Sequence, residues 1–306
     1  MPENESDSKS LVKTFVLLFA RDRPTCDISY LTVQRNNENS IYPMLLTTTF
    51  YFMRDLVDYR AISLDDSVYI IGGRYASTGR LSCQMFKYDA EIDHWRACDT
   101  LKAPRFNFGV TTFDHKIYVL GGEGLKETII QTVECYDPAT DRWKELGNLP
   151  KPRRYHSTCA VGKRLWILDP RPSEWRRSMM NYTLPQPRQQ HCLINTDNSV
   201  IILGAIDQRN NVEPQWKELK YQLQYPRIDC GYFQLDRYLY IIGGHNSDNQ
   251  ESTKMIERIN LDSFQIEDVF QLEKELATVD CCIVQTNKYN NSLLPLAEYL
   301  DKWVVW

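Results

Sequence analysis

The sequence lacks the features that would place it in a membrane or on a nucleic acid. No apolar run reaches the roughly 18 residues that a membrane span requires. The first apolar stretch, residues 11–20, is interrupted by Lys13 and follows an acidic, polar decapeptide, which is the wrong charge for a signal sequence. The formal net charge is −4 with no block of like charge, so a nucleic-acid or acidic-membrane surface is not indicated. These absences favour a cytoplasmic chain in which residues 1–10 are disordered and residues 14–20 form a buried strand.

The cysteines lack the spacing of a disulfide framework or a zinc site. There are nine, an odd number, with no Cys-x-x-Cys pair, and Cys281 and Cys282 are adjacent. Several, such as Cys159 and Cys230, lie inside apolar strand patterns, where a reduced thiol behaves as a small hydrophobic side chain. The pattern indicates free thiols in a reducing compartment.

Enzyme motifs are also missing. The sequence contains no Walker-type phosphate loop, no Gly-x-Ser-x-Gly and no His-Glu-x-x-His. Its five histidines lie far apart without metal-ligand spacing. We therefore predict a non-enzymatic chain with no catalytic residue, no metal site and no cofactor.

What the sequence does contain is a repeat with a period of about 50 residues. The run VYIIGG at residues 68–73 returns 49 residues later as IYVLGG at residues 117–122. Each run is followed by a Tyr-Asp pair, a tryptophan and a Pro-Arg dipeptide. Six positions align on the apolar run: residues 15–20, 68–73, 117–122, 165–169, 200–204 and 239–244. The unit around residues 108–143 predicts four short strands joined by polar turns, which is typical of a radial array of β-sheets.

Apolar strand, Gly-Gly, Tyr-Asp, spaced tryptophan and Pro-Arg together resemble the Kelch repeat, over residues 11–286. The resemblance implies an all-β, six-bladed Kelch-type β-propeller, followed by a C-terminal tail at residues 287–306. It also implies that the C-terminal strand closes the first blade, so residues 278–285 are expected to pair with residues 15–20. The fourth and fifth blades are expected to be degenerate: Asp169 precedes Trp175 by only six residues, where intact units have 21 or 22 between the second glycine and the tryptophan.

The resemblance to the Kelch-like proteins implies a protein-interaction function. In that family, BTB, BACK and Kelch domains recruit substrates to a cullin-type E3 ubiquitin ligase, and the Kelch domain recognises the substrate. No BTB or BACK segment precedes the repeats, so we expect either a part or truncated form of a longer protein, with recruitment through a BTB domain outside this chain, or a Kelch-only protein. The alternative is a Kelch-only, actin-associated scaffold in the cytoplasm or on the cytoskeleton. A third class, the copper oxidases of the same fold, needs a clustered Tyr, Cys and His ligand set that the sequence does not single out.

The loops that follow the repeated motifs supply the candidate binding residues. Pro-Arg occurs at Arg105, Arg153, Arg188 and Arg227, and we expect this repeated arginine to order the turn between blades. The residues after it vary, as do those after Gly-Gly, and in Kelch-like proteins these loops form the partner-binding face. The residues predicted to bind a protein partner or peptide degron are Arg74, Tyr75, Asn107, Arg154, Tyr155, Gln190, Asp207, Asp229, His245 and Asn246. Arginine, amide and aromatic side chains suit polar peptide recognition, and the alternative is a rim that is merely solvated.

Overall fold

The computed structural model describes twelve stretches of the chain: residues 13–24, 29–34, 40–45, 53–92, 94–161, 164–168, 192–196, 199–203, 223–225, 227–246, 249 and 251–286. Their regular structure is almost entirely β-strand, together with the short 3-10 helix Leu125–Glu127. Within these stretches, no helix has the length and apolar character needed to cross a membrane. The predicted disordered segment at residues 1–10 and the predicted tail at residues 287–306 lie outside them.

The strands form antiparallel sheets in which successive strands are hydrogen-bonded to each other. Sheet 1 contains β22 (Val279–Thr286), β1 (Lys13–Ala20), β2 (Ser29–Gln34) and β3 (Ser40–Leu45). Sheet 2 contains β5 (Arg60–Leu64), β6 (Ser67–Ile71), β8 (Met85–Asp89) and β9 (His94–Ala97), beside the short pair β4 (Leu56–Val57) and β7 (Arg74–Tyr75). Sheet 3 contains β10 (Gly109–Phe113), β11 (Lys116–Leu120), β12 (Thr132–Asp137) and β13 (Arg142–Asn148).

The second half of the chain continues this order. In the described residues, sheet 4 contains β14 (Ser157–Val161) and β15 (Arg164–Leu168), and sheet 5 contains β16 (Cys192–Thr196) and β17 (Ser199–Leu203). Sheet 6 contains β18 (Gly231–Leu235), β19 (Tyr238–Ile242), β20 (Met255–Asn260) and β21 (Ile266–Gln271).

The first strand of each sheet lies at the centre of a ring. Strand β22 contacts both β5 and β18, β10 contacts both β5 and β14, and β14 contacts β16. Sheets 5 and 6 share one apolar cluster that includes Ile194 and Ile241. This arrangement confirms the predicted all-β propeller. The number of blades and the degeneracy of the fourth and fifth stay predictions, because residues 169–191 and 204–222 lie outside the described residues.

The C-terminal strand closes the first sheet as predicted. Strand β22 pairs antiparallel with β1 over eight residues, with Phe15 opposite Val284 and Leu18 opposite Cys281. Residues 14–20 are all buried, which confirms the buried strand expected there. The buried faces of β1 are divided between two apolar clusters, one shared with sheet 2 and the other with sheet 6.

Sheet 3 shows how the repeated residues build one unit. A tight turn joins β10 to β11, where Asp114 and His115 both have positive φ, 49° and 53°, as a two-residue type I′ hairpin turn requires. In the outer half of the sheet, the rings of Tyr136 and Trp143 lie 5.3 Å apart. Both side chains are buried in the cluster shared by sheets 2 and 3. These aromatic residues therefore supply bulk between neighbouring sheets in this unit.

Gly122→Val is expected to lower the free energy of unfolding by about 3 kcal/mol, because it combines backbone strain with overpacking. Gly122 has φ +103°, and a Cβ there would lie 2.8 Å from the Phe106 carbonyl oxygen and 2.8 Å from the Phe108 Cβ. Urea denaturation measures the loss. Gly79→Val is the matched control, because Gly79 also has positive φ but has no atom within 4 Å of its would-be Cβ. Equal losses in the two variants would show that the close approach at Gly122 contributes nothing.

Candidate functional site

The loops that enter the inner strands share one backbone feature. Two residues before the first residue of β5, β10, β14 and β18, the backbone is left-handed, with φ between 53° and 57°. The residues at these positions are Asp58, Asn107, Tyr155 and Asp229. Asn and Asp tolerate this conformation, whereas a bulky side chain such as Tyr rarely adopts it. Three of the predicted binding residues therefore occupy equivalent positions, and Asp58 is a fourth that sequence reasoning missed.

The residue after each glycine pair lies beside one of these loops. Three antiparallel bridges join Arg74 to Val57, Glu123 to Phe106 and His245 to Ile228. The main chains of Glu123 and Phe106 exchange hydrogen bonds of 2.8 and 3.1 Å. The two kinds of predicted loop are thus joined at the same end of sheets 2, 3 and 6. We call this end the rim, comprising residues 57–58, 106–107, 154–155 and 228–229 and the loops that begin at residues 74, 123 and 245.

Side chains on the rim connect neighbouring sheets at three junctions. The Arg74 guanidinium carbon lies 5.6 Å from the centroid of the Phe106 ring. One sheet further on, the Arg154 guanidinium donates a hydrogen bond of 2.6 Å to a Glu123 carboxylate oxygen. Between sheets 6 and 1, His245 Nδ1 lies 3.3 Å from the Ala277 carbonyl oxygen. The three junctions therefore use different interactions: a cation–π contact, an ion pair and a polar contact to the backbone.

Several predicted binding residues are held in place by further contacts. Arg74 forms a second contact, an ion pair of 2.5 Å with Asp58, and the Tyr75 hydroxyl donates a hydrogen bond of 2.9 Å to Gln84. The hydrogen bond from Arg154 to Glu123 raises the pKa of Arg154. Polar groups that are already held in position lose less conformational freedom when a partner binds. The rim is thus preorganised on the side of sheets 2 and 3.

Asp229 differs from the other rim residues in its electrostatic environment. Burial raises the pKa of its carboxyl group, and the neighbouring side chains of Arg21, His245 and Arg60 partly oppose that shift. Asp229 is half-buried in the rim.

A neighbouring charged group fastens the closing strand. The Asp280 carboxylate lies 3.1 Å from Arg21 Nε and 3.2 Å from Arg60 Nε. It also accepts a hydrogen bond of 2.8 Å from the Ala61 backbone N–H. Asp280 thus joins β22 to the end of β1 and to sheet 2, a role that sequence reasoning did not predict.

Two of the Pro-Arg arginines, Arg105 and Arg227, lie beneath the rim rather than on it. Arg105 is fully buried, donates a hydrogen bond of 3.0 Å to the Gly121 carbonyl and forms an ion pair with Glu134. Arg227 repeats this arrangement in sheet 6, donating to the Gly243 carbonyl at 3.0 Å and to Glu257 at 2.5 Å. The expectation that this arginine orders the turn is confirmed in both units.

Sheet 2 replaces the arginine–glutamate pair with apolar residues. Leu56 is equivalent to Arg105, because each directly precedes a bridge residue, Val57 or Phe106. Phe86 is equivalent to Glu134, because each lies two residues before the repeated tyrosine. Leu56 is buried in the cluster shared by sheets 1 and 2, and Phe86 packs against that cluster. A charged pair and an apolar pair therefore fill equivalent positions in different sheets.

The structure places eight of the ten predicted binding residues. All eight lie on or directly beside the rim; Gln190 and Asp207 fall outside the described residues. Asp58 could have been found from the repeat, since it precedes Asn107 by the same 49 residues that separate the two Gly-Gly runs. Its unit lacks the Pro-Arg dipeptide that marks the equivalent loop in other units. Among the described residues, no three His, Cys, Asp or Glu side chains group together as a metal site would require.

Comparisons with known proteins are consistent with this architecture. The model of the KLHDC2/KLHL20/DRC7 Kelch-repeats domain matches residues 53–205. The chain is similar to Kelch-like protein 26 of Danio rerio, with 22% identity over 71% of this chain and 40% of that protein. It is similar to Beta-scruin of Limulus polyphemus, with 25% identity over 70% of this chain and 22% of that protein. It also matches the spermatocyte protein spe-26 of Caenorhabditis elegans, with 24% identity over 73% of this chain and 42% of that protein. The chain thus spans less than half the length of these relatives.

Proposed function

This chain belongs to the Kelch-repeat family, and from that premise we propose that its rim recognises a segment of a protein substrate for a cullin-type E3 ubiquitin ligase. Kelch-repeat domains are protein-interaction modules, and this chain is one. The residues proposed to contact the substrate are Arg74, Tyr75, Asn107, Arg154, Tyr155, Gln190, Asp207, Asp229, His245 and Asn246. The proposal requires no catalytic residue, metal or cofactor. Recruitment to the ligase requires a BTB domain, supplied by a longer form of this protein or by another chain.

One observation carries the proposal: main-chain bridges hold two variable loops together at the same end of sheets 2, 3 and 6. The framework beneath them recurs in sheets 3 and 6, as the buried Arg105 and Arg227 show. A rigid scaffold that presents loops of different chemistry is the usual arrangement of a recognition surface. Arginine and aromatic side chains are also enriched among the residues that dominate binding energy.

The double variant Arg154→Ala with Tyr155→Ala is expected to weaken partner binding by roughly tenfold or more, because it removes an arginine and an aromatic anchor. The measurement is proximity labelling in cells, comparing the recovery of each labelled protein between wild type and variant. The structure adds a stability effect, since the Glu123 side chain is only 9% exposed and loses its cation. An uncompensated buried carboxylate costs about 1–3 kcal/mol.

Two further variants separate binding from stability. Glu123→Gln with Arg154→Ala and Tyr155→Ala removes the uncompensated carboxylate and is expected to melt higher than the double variant while binding equally poorly. Lys144→Ala with Glu145→Ala alters two exposed residues on β13, outside the rim, and is expected to leave labelling unchanged. Full recovery of every partner with both rim variants would place the binding surface elsewhere on the ring.

Assignment to the ligase pathway has its own test. Proteins whose labelling depends on Arg154 and Tyr155 are expected to become ubiquitylated in a reaction that contains a cullin scaffold and a BTB protein recovered with this chain. The alternative, an actin-associated scaffold, is tested by co-sedimentation of the purified chain with actin filaments. Sedimentation that the rim variants abolish, without any cullin recovery, would overturn the ligase proposal and favour the scaffold.

A further inference from the structure

Exposed apolar side chains concentrate at one sector of the rim. Five large apolar side chains are exposed in the described part of the chain, and three belong to two neighbouring rim loops: the β11–β12 loop of sheet 3 and the loop that leads from sheet 3 to sheet 4. These are Leu125, Ile129 and Tyr155, with 62%, 37% and 47% of their surface exposed. Exposed apolar residues that cluster, rather than scatter singly, mark interaction sites. We call these three residues, with Lys126, Glu127 and Arg154, the Tyr155 sector.

Backbone and side-chain contacts make this sector continuous. Glu123 forms a β-bridge to Ile129, so the two side chains extend to the same side of the backbone. The Glu123 carboxylate is bound by Arg154, whose guanidinium carbon lies 5.5 Å from the centroid of the Tyr155 ring. The turn that carries Leu125 is closed by a hydrogen bond of 2.8 Å from the Gly124 N–H to the Thr128 carbonyl.

Backbone strain concentrates in the same sector. Thirteen non-glycine residues have positive φ in the described part of the chain, and all but four are Asp, Asn or His. Three of those four are Lys126, Glu127 and Tyr155, with φ of 55°, 59° and 57°. At the position of Tyr155, the three equivalent loops carry Asp58, Asn107 and Asp229. Strained backbone of this kind persists mainly at binding and catalytic sites, where the unusual conformation serves the function.

The exposed charges of the sector favour an acidic ligand. Arg154 uses one N–H group on the buried Glu123, and a guanidinium has five N–H donors. Lys126 is exposed on the adjacent turn, and Lys151 is exposed in the loop that leads to Tyr155. Glu127 is the exposed carboxylate among them. Arg154 and Lys126, together with Lys151 beside the sector, outnumber the carboxylates of Glu123 and Glu127, which matches a segment that combines apolar and acidic side chains.

We propose that the Tyr155 sector is the principal anchoring site of the rim, and that it binds a peptide segment of a partner protein. An apolar side chain of the peptide packs between Leu125, Ile129 and Tyr155, and an acidic side chain binds Arg154 and Lys126. This proposal rests on the proposed function and adds the sector and the chemistry of the ligand. It also predicts that stability and binding are opposed at position 155. Asn or Asp would fit the left-handed backbone better than Tyr155 does, but only the tyrosine ring contributes to binding.

A phage-displayed library of random 12-residue peptides, selected on the full chain, tests the proposal. Enriched peptides are expected to combine Leu, Phe or Trp with Asp or Glu. By fluorescence anisotropy, Tyr155→Asn and Leu125→Ser are each expected to weaken a selected peptide by about tenfold or more. Leu146→Ser is the matched control, because Leu146 is also an exposed leucine (51%) but lies on the outer strand β13. This variant is expected to leave peptide binding unchanged.

Calorimetry on the same variants tests the strain. Tyr155→Asn is expected to raise the melting temperature by about 2 °C, because Asn adopts positive φ more readily. Asn107→Tyr makes the reverse change at the equivalent position and is expected to lower the melting temperature. A lower melting temperature for Tyr155→Asn, enrichment of basic peptides, or a library that yields no binder would each overturn the proposal. If peptide affinity is unchanged by Tyr155→Asn but is abolished by Arg74→Ala with Tyr75→Ala, the Tyr155 sector is not the anchoring site. The proposed function of the rim would still stand.

Discussion

Ending the chain after Ala277 is expected to abolish the folded ring, whereas ending it after Thr286 is expected to preserve the ring. The shorter chain lacks β22, which pairs with all eight residues of β1 and contributes the fully buried Cys282 and Val284. Without β22, β1 presents an unpaired apolar edge, which is a template for aggregation. We expect the shorter chain in the insoluble fraction or at the void volume in size-exclusion chromatography.

The longer truncation is the control for this experiment. Both chains lack residues 287–306, so a difference between them reports residues 278–286 alone. The chain that ends at Thr286 is expected to elute as the full chain does and to unfold cooperatively in urea. If the shorter chain stays soluble with an unchanged melting temperature, ring closure by β22 does not stabilise the fold.

Glu134→Leu is expected to lower the free energy of unfolding by about 3–5 kcal/mol, because it leaves the Arg105 charge buried without a partner. Arg105 is fully buried and Glu134 almost fully, so solvent cannot replace the lost carboxylate. Replacing both members, Arg105→Leu with Glu134→Phe, reproduces the apolar pair Leu56 and Phe86 of sheet 2. Since an apolar pair avoids the cost of burying charge, the double variant is expected to recover most of the lost stability.

Urea denaturation of the wild type, Arg105→Leu, Glu134→Phe and the double variant measures the coupling between the two positions. Glu134→Leu is measured alongside them. Glu145→Leu, at an exposed position on β13 of the same sheet, is the control and is expected to change stability by less than about 0.5 kcal/mol. A double variant that is less stable than Glu134→Leu would show that sheet 3 cannot pack the apolar pair that sheet 2 has at these positions. Additive losses would show that the two side chains do not stabilise the sheet as a pair.

The propeller could be predicted from the sequence because its determinants are local and repeat. An apolar run of four residues before Gly-Gly, as at residues 68–71, fits a strand buried on both faces. The buried ion pairs could have been found in the same way. Arg105 and Glu134 are 29 residues apart, and Arg227 and Glu257 are 30 apart. That nearly constant interval, absent from the unit of sheet 2, is a repeat signal that attention to Gly-Gly and Pro-Arg overlooked.

The candidate site could be predicted only in part, because its geometry depends on contacts across the ring. The loops were found from their place in the repeat, but the ion pairs that hold them were not. Asp280 and Ala61 are 219 residues apart and meet only once the ring closes. The strain at Tyr155 likewise becomes visible only when its φ is compared with those of Asp58 and Asn107. Charge and residue type alone do not show which rim side chains are exposed and which are already bound.

The register of the closing strands also determines where attached segments leave the ring. Lys13 and Thr286 are paired at one end of β1 and β22, and Ala20 lies at the other end, where Arg21 meets Asp280 beside the rim. Paired Cα atoms of antiparallel strands are only about 5 Å apart. Any segment joined before Lys13 or after Thr286 therefore departs from a single point, at the pole opposite the rim. A domain tethered at either terminus would therefore be attached to the ring at the end opposite the rim.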